Sequence, residues 1–167
     1  MSKLRRQISA NTANTAETKD LNAIKAKTGN VYESIAIIAK RANQINISLK
    51  EELHNKLEEK EYSSATLYYN MGHYRAAAIA YTSLMNDFPD SQKSDAYKLQ
   101  VIKSYYLFAV NSIEDKKAAR FEQVVTECHD FVDRFPESTF KKEVENYETL
   151  SKNNLKANNN EQITKTN

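Results

Sequence analysis

Apolar residues return along this chain at helical spacing, broken by few turn signals. Ile35, Ile38, Ala42 and Ile45 recur at intervals of three, four and three, which places them on one face of a helix. Asn30 precedes that face as an N-cap, and Glu33 stands where a capping-box partner would reach back. Upstream, Asp20 to Lys27 holds a short helix with Leu21 and Ile24 on one side, and Thr28-Gly29-Asn30 breaks it. Downstream, Asn46 and Ser48 interrupt the apolar face, Ser48 with Glu51 repeats the capping pattern, and Leu49, Leu53 and Leu57 line the next helix. The stretch Glu58-Glu59-Lys60-Glu61 reads as a solvated join and marks a domain boundary between 59 and 60. Residues 1–19 lack apolar periodicity and read as a mobile arm.

Beyond the join the pattern repeats. Phe88-Pro89-Asp90-Ser91 returns 47 residues later as Phe135-Pro136-Glu137-Ser138. The same offset carries Tyr74 onto Phe121, Ala77 onto Val124, Tyr81 onto Cys128 and Leu84 onto Phe131. A period of this length, made of helical segments, predicts stacked helix pairs, none of which buries its apolar face alone. Between the copies, Ser94 caps a helix running to about Ser112, with Tyr97, Val101, Ser104 or Tyr105, and Phe108 on its face. Ile113 to Ala119 reads as a turn. A last helix from about Thr139 uses Phe140, Val144, Tyr147 and Leu150 or Ser151, and residues 157–167 read as a frayed tail.

Composition narrows the fold class. In 167 residues there are Gly 2 and Pro 2, too few for the turns of a sandwich or barrel, so the expectation is all-α. A small helical head over 20–59 precedes a repeat region over 60–156. With Lys+Arg 24 against Asp+Glu 22, no strong basic field is present to hold nucleic acid by charge alone. No apolar run approaches a membrane span or a secretory signal, which makes the cytoplasm the expected compartment.

Candidate chemistry is sparse. Cys128 is the single cysteine, so neither an internal disulfide nor a thiolate zinc site follows. His54, His73 and His129 lack metal-site spacing, and Cys128 in a repeat core position reads as a small buried hydrophobe. No phosphate-cradling glycine loop or nucleophile motif occurs. The expectation is a chain with no catalytic constellation, no cofactor and no small-molecule substrate, which works by binding protein. Ten tyrosines suit inter-helix packing better than base stacking, with a few available to line a solenoid groove.

Two resemblances sharpen this. Gly72, Tyr74, Ala77, Tyr81, Leu84 and Pro89 resemble the tetratricopeptide pattern: Gly72 for the turn, Ala77 for close approach, Tyr81 to pack into the next repeat, Pro89 to stop the helix. The second copy keeps Phe121, Val124, Phe131 and Pro136 and departs at Ala119 and Cys128. Over 62–156, "SSATLYYNMGHYRAAAIAYTSLMNDFPDS" and "FVDRFPESTFKKEV" resemble the C-terminal part of the BamD family of outer-membrane assembly factors. That resemblance implies β-barrel assembly components as partners and the periplasmic face of the outer membrane as the alternative location. The family's lipidated cysteine and its earlier repeats have no counterpart here.

The segment "TGNVYESIAIIAKRANQI", Thr28 to Ile45, resembles the omega subunit family of bacterial RNA polymerase. The resemblance implies a non-catalytic unit that binds the β′ subunit, through Gly29, Asn30, Tyr32, Glu33, Lys40, Arg41 and Gln44, with Ile38, Ala39 and Ala42 also matching. For Lys40 and Arg41 the other reading is a solvated pair at a helix end. The two families work on opposite sides of the inner membrane. A fusion of neighbouring genes, a rearranged gene and an assembly artefact all accord with their pairing in one chain.

Overall fold

The computed structural model describes residues 20–166. Among them there are six helices and no strand, so the all-α expectation holds. The chain divides into two compact units, Met1–Glu51 and Glu52–Asn167. The arm expected over 1–19 lies outside the described residues.

In the first unit, α1 (Leu21–Thr28) is capped by Asp20, whose carboxylate accepts the Asn22 N–H at 2.8 Å. It ends at Gly29, where φ is 77° and the N–H donates to Lys25 O at 2.7 Å. A side chain is disfavoured at that φ, so the glycine sets the stop. Then α2 (Val31–Asn70) begins, with Asn30 Oδ1 accepting the Tyr32 N–H at 3.0 Å. The Thr28 and Ser34 hydroxyls both donate to Asn30 O, at 2.9 and 3.2 Å. Asn30 therefore caps as expected, while Glu33 supplies charge in the first turn.

The expected interruption at Asn46 and Ser48 does not occur, and α2 also passes unbroken through residues 59 and 60. Asn and Ser cost a helix only about 0.5 kcal/mol each, and the Leu, Lys and Glu around them favour it.

In the second unit α2 ends on Gly72, at φ 78°. The His73 N–H donates to Tyr68 O at 2.9 Å and the Gly72 N–H to Tyr69 O at 3.0 Å, a Schellman pair that satisfies the last carbonyls. There follow α3 (Tyr74–Asp87), α4 (Ser94–Val110), α5 (Glu114–Arg134) and α6 (Lys141–Thr166). They pack as successive neighbours, α3 on α4, α4 on α5, α5 on α6. Two core layers result. One joins Ala65 of α2 to Ala77, Tyr81 and Leu84 of α3, with Phe88, Tyr97 and Val101. The other joins Leu99 and Ile102 of α4 to Val124, Cys128 and Phe131 of α5 and Val144 of α6. The central helix α4 feeds both layers, which explains its apolar residues on two faces.

The 47-residue offset is structural. Phe88 and Phe135 follow the ends of α3 and α5 with φ of −126° and −129°, and each N–H bonds back four residues, to Leu84 O and Phe131 O. Three details differ from expectation. Ala119 lies inside α5, because the turn falls earlier, at 111–113, and α5 is 21 residues against 14 in α3. Ser94 is the first helical residue of α4, and its hydroxyl donates to Ser91 O at 2.8 Å instead of capping. The backbone of α6 continues through the expected tail to Thr166, since neither glycine nor proline follows Pro136 to stop it. On α6 the buried alternative is Ser151, and Leu150 is 45% exposed.

Candidate partner-binding face

The first half of α2 carries an apolar face that is exposed among the described residues. Ile35, Ile38, Ile45 and Leu49 are 57%, 60%, 52% and 55% exposed. With Val31 and Ala42 they recur at four, three, four, three and four residues, the a/d spacing of a heptad seam. Ala42 is exposed as well, and Val31 half-buried. Over these 19 residues a helix rises about 28 Å. The seam stops at Glu52, the next position in register, which pairs instead with Lys56. Ile37 and Ile47, on other faces of the same half of α2, are 53% and 61% exposed, so apolar exposure here is not confined to the row.

The residues singled out by the omega resemblance surround this seam without converging. Gly29 and Asn30 build the turn that starts α2. Tyr32 is 82% exposed beside the seam, and Glu33, Lys40, Arg41 and Gln44 are all exposed. Arg41 Nη1 donates to Gln44 Oε1 at 3.4 Å. The cluster is not a pocket: it is one helix surface with an apolar row and a charged flank.

The repeat residues sit in the second unit as structure. Ala77, Tyr81, Leu84, Phe121, Val124 and Phe131 are each at most 1% exposed. Tyr74 stacks edge-on to Tyr69 at 5.6 Å, and Pro89 and Pro136 are exposed in equivalent turns. Tyr81 packs with Tyr97 and Val101 of the next helix pair and its hydroxyl is 2.9 Å from Thr66 Oγ1.

The sequence pattern did not reveal the polar ties between layers. Glu58, expected in a solvated join, is 8% exposed. Its Oε1 accepts from Ser91 Oγ at 2.5 Å and from Tyr97 OH at 2.6 Å. One repeat later, Ser138 Oγ donates to Asp95 Oδ2 at 2.7 Å. Each Phe-Pro-x-Ser turn is thus fastened by its serine to a carboxylate on the helix that opens its own pair. The repeated serine was visible in the sequence; the acids, 37 residues apart, are not on the same offset. Burial works to raise the Glu58 pKa, but the Ser91 and Tyr97 hydrogen bonds, with Lys93 and His54 nearby, hold it below the ordinary value. Tyr97 is driven up by burial and by the Glu58 carboxylate. Lys98, also buried, reaches Glu127 and Asp130 on α5, both at 2.5 Å.

Cys128 is fully buried, and burial, with Glu148 and Glu127 adding, pushes its thiol up to about 12. His129 faces Glu148 at 2.9 Å, and His54 packs on the Phe88 ring at 4.8 Å. Among the described residues no group of three His, Cys, Asp or Glu is placed to hold a metal, and no helix is long and apolar enough to cross a membrane. No protein-family model matches the chain, and no curated protein matches it.

Proposed function

We propose that the chain is a non-catalytic protein-binding subunit whose docking face is the seam on the first half of α2. The observation that supports this is the row of half-exposed Ile and Leu along that helix. Burying such side chains contributes roughly 1.5–3 kcal/mol each, and on this helix the gain awaits a partner. On the omega resemblance the partner is the RNA polymerase β′ subunit, with Lys40 and Arg41 meeting acidic groups on it. The test is capture of purified β′ by the immobilised full chain. The reading expects capture, lost in an Ile38→Lys, Ile45→Lys variant and weakened in Arg41→Glu. No capture by the wild-type chain removes the polymerase reading.

The repeated turns favour a second reading, an adaptor of the outer-membrane β-barrel assembly machinery, in which the helix pairs do the binding. Capture of purified assembly components that persists in the Ile38→Lys, Ile45→Lys variant would select it.

A further inference from the structure

In the second unit a cleft of about 860 Å3 opens between the second half of α2 and the turn that joins α3 to α4. Glu58 lines it and is 8% exposed. Both hydrogen bonds to its carboxylate fall on Oε1, from Ser91 and Tyr97, and among the described residues Oε2 receives none. Burial works against its charge, yet those two bonds hold its pKa below the ordinary value, so it is ionised at neutral pH. A buried carboxylate oxygen is costly to leave without a donor. Glu59 and Asp90 add two exposed carboxylates to the rim, neither in an ion pair among the described residues. Against these three acids the lining holds one lysine, Lys93, and His54, whose ring packs on Phe88. The chain as a whole carries +2, so the excess of negative charge belongs to the cleft and not to the surface at large.

The lining selects the kind of cation. Among the described residues no three His, Cys, Asp or Glu are placed to hold a metal, so the acids do not converge on a bare ion. A guanidinium spreads its charge over a plane of donors, bonds two carboxylates at once and stacks on an aromatic face. Tyr62 supplies that face, as a partly buried ring held by those of Tyr81 and Tyr97 at 5.8 and 5.4 Å. A second cleft, of about 370 Å3, shares Ser91 and Gln92 with the first and continues to the next Phe-Pro-x-Ser turn. There Glu137 adds another exposed carboxylate, while Arg134 is turned to Asp130 at 3.7 Å. The two clefts form one groove across the first repeat turn, a shape for an extended chain rather than a compact molecule.

We infer that this groove is a docking site for a basic peptide segment of a partner protein, with an arginine side chain in the larger cleft among Glu58, Glu59 and Tyr62. The site is separate from the face on the first half of α2 and does not depend on the β′ reading.

Calorimetric titration of the full chain with the capped peptide Ac-Gly-Arg-Gly-Arg-Gly-NH2, at about 50 mM salt so that screening is modest, tests it. The expected Kd is about 100 μM or tighter. Glu59→Gln with Asp90→Asn should weaken binding by at least about tenfold. Both positions are exposed, so the melting of the second unit should be unchanged. Glu122→Gln with Glu145→Gln, the same change of charge at exposed positions of α5 and α6, should leave binding unaltered. Lys93→Gln removes the opposing cation and should tighten binding by about threefold. The peptide with citrulline in place of arginine keeps the shape without the charge and should not bind. A wild-type chain that takes up no peptide at about 1 mM overturns the inference. Equal weakening by the two acidic pairs also overturns it, because the peptide would then be answering bulk charge. Nα-acetyl-arginine amide binding as tightly as the peptide overturns the peptide occupant in favour of a small cation.

Discussion

At the residue scale, Glu58 ties together parts of the second unit that are far apart in sequence. It receives the hydroxyls of Ser91 and Tyr97 on one oxygen while almost fully buried. Glu58→Ala leaves the buried Tyr97 hydroxyl without its acceptor, so unfolding free energy should fall by about 2–3 kcal/mol in urea titration. Glu58→Gln retains an acceptor oxygen and should cost less. The folded pKa of Glu58 lies below its ordinary value of 4.5. Its contribution is thus complete above the unfolded pKa and drains away as pH falls through the folded one. Stability should therefore decline on acidification below about pH 4.5, and part of that decline should vanish in Glu58→Gln. A pH profile identical in the two proteins would rule out this role. Cys128 gives a second reading at this scale. With its thiol pushed up to about 12 and no exposure, it should react with a thiol reagent only as the second unit unfolds, at the rate of opening. Fast stoichiometric labelling of the native chain would contradict that burial.

At the scale of elements, what the sequence made legible and what it hid divide along physical lines. Helix type and the apolar faces followed from spacing, because burial imposes a period that a single strand of text preserves. The Gly72 turn was readable for the same local reason: a φ of 78° needs glycine, and glycine is rare here. A Gly72→Ala substitution meets no steric obstacle to its Cβ but forces the left-handed φ on an L residue. It should lower stability by about 1 kcal/mol, measurable as a fall in melting temperature of several degrees. What stayed hidden was non-local. Glu58 looked like part of a charged surface run because its partners, Ser91 and Tyr97, are more than 30 residues away. Lys98 carried no signal in the sequence, because its ion pairs are supplied by a helix that arrives only in the fold. Helix ends were misplaced where the signal was weak. Asn46 and Ser48 are poor helix formers but not breakers, and Ala119 occupies the glycine's repeat position after the turn has moved earlier.

At the scale of the whole molecule, the apolar residues are apportioned unevenly between the two units. The second buries aromatic and aliphatic residues in two layers, in which the first fully buried residue among those described is Ala65, and the partly buried Tyr62 packs against the layer that holds it. The first has Ser34 as its buried residue among those described and leaves the isoleucines of its part of α2 in solvent. A chain beginning at Glu52 should accordingly melt as one cooperative transition within a few degrees of the full chain, followed by circular dichroism; loss of cooperativity would mean that the first unit is part of the core. The candidate face was legible only in part. Ile35, Ile38, Ala42 and Ile45 were identifiable as a helix face from spacing, but spacing does not say whether a face meets a core or awaits another chain. The measurement that bears most directly on the claim of a docking face is hydrogen exchange along α2 in the full-length protein with purified β′ bound. The account predicts that amides of residues 31–49 are slowed in the wild-type chain and exchange rapidly in Ile38→Lys, Ile45→Lys, while the second unit is protected alike in both. Equal exchange over 31–49 in the two proteins, with protection on binding confined to α3–α6, would contradict it.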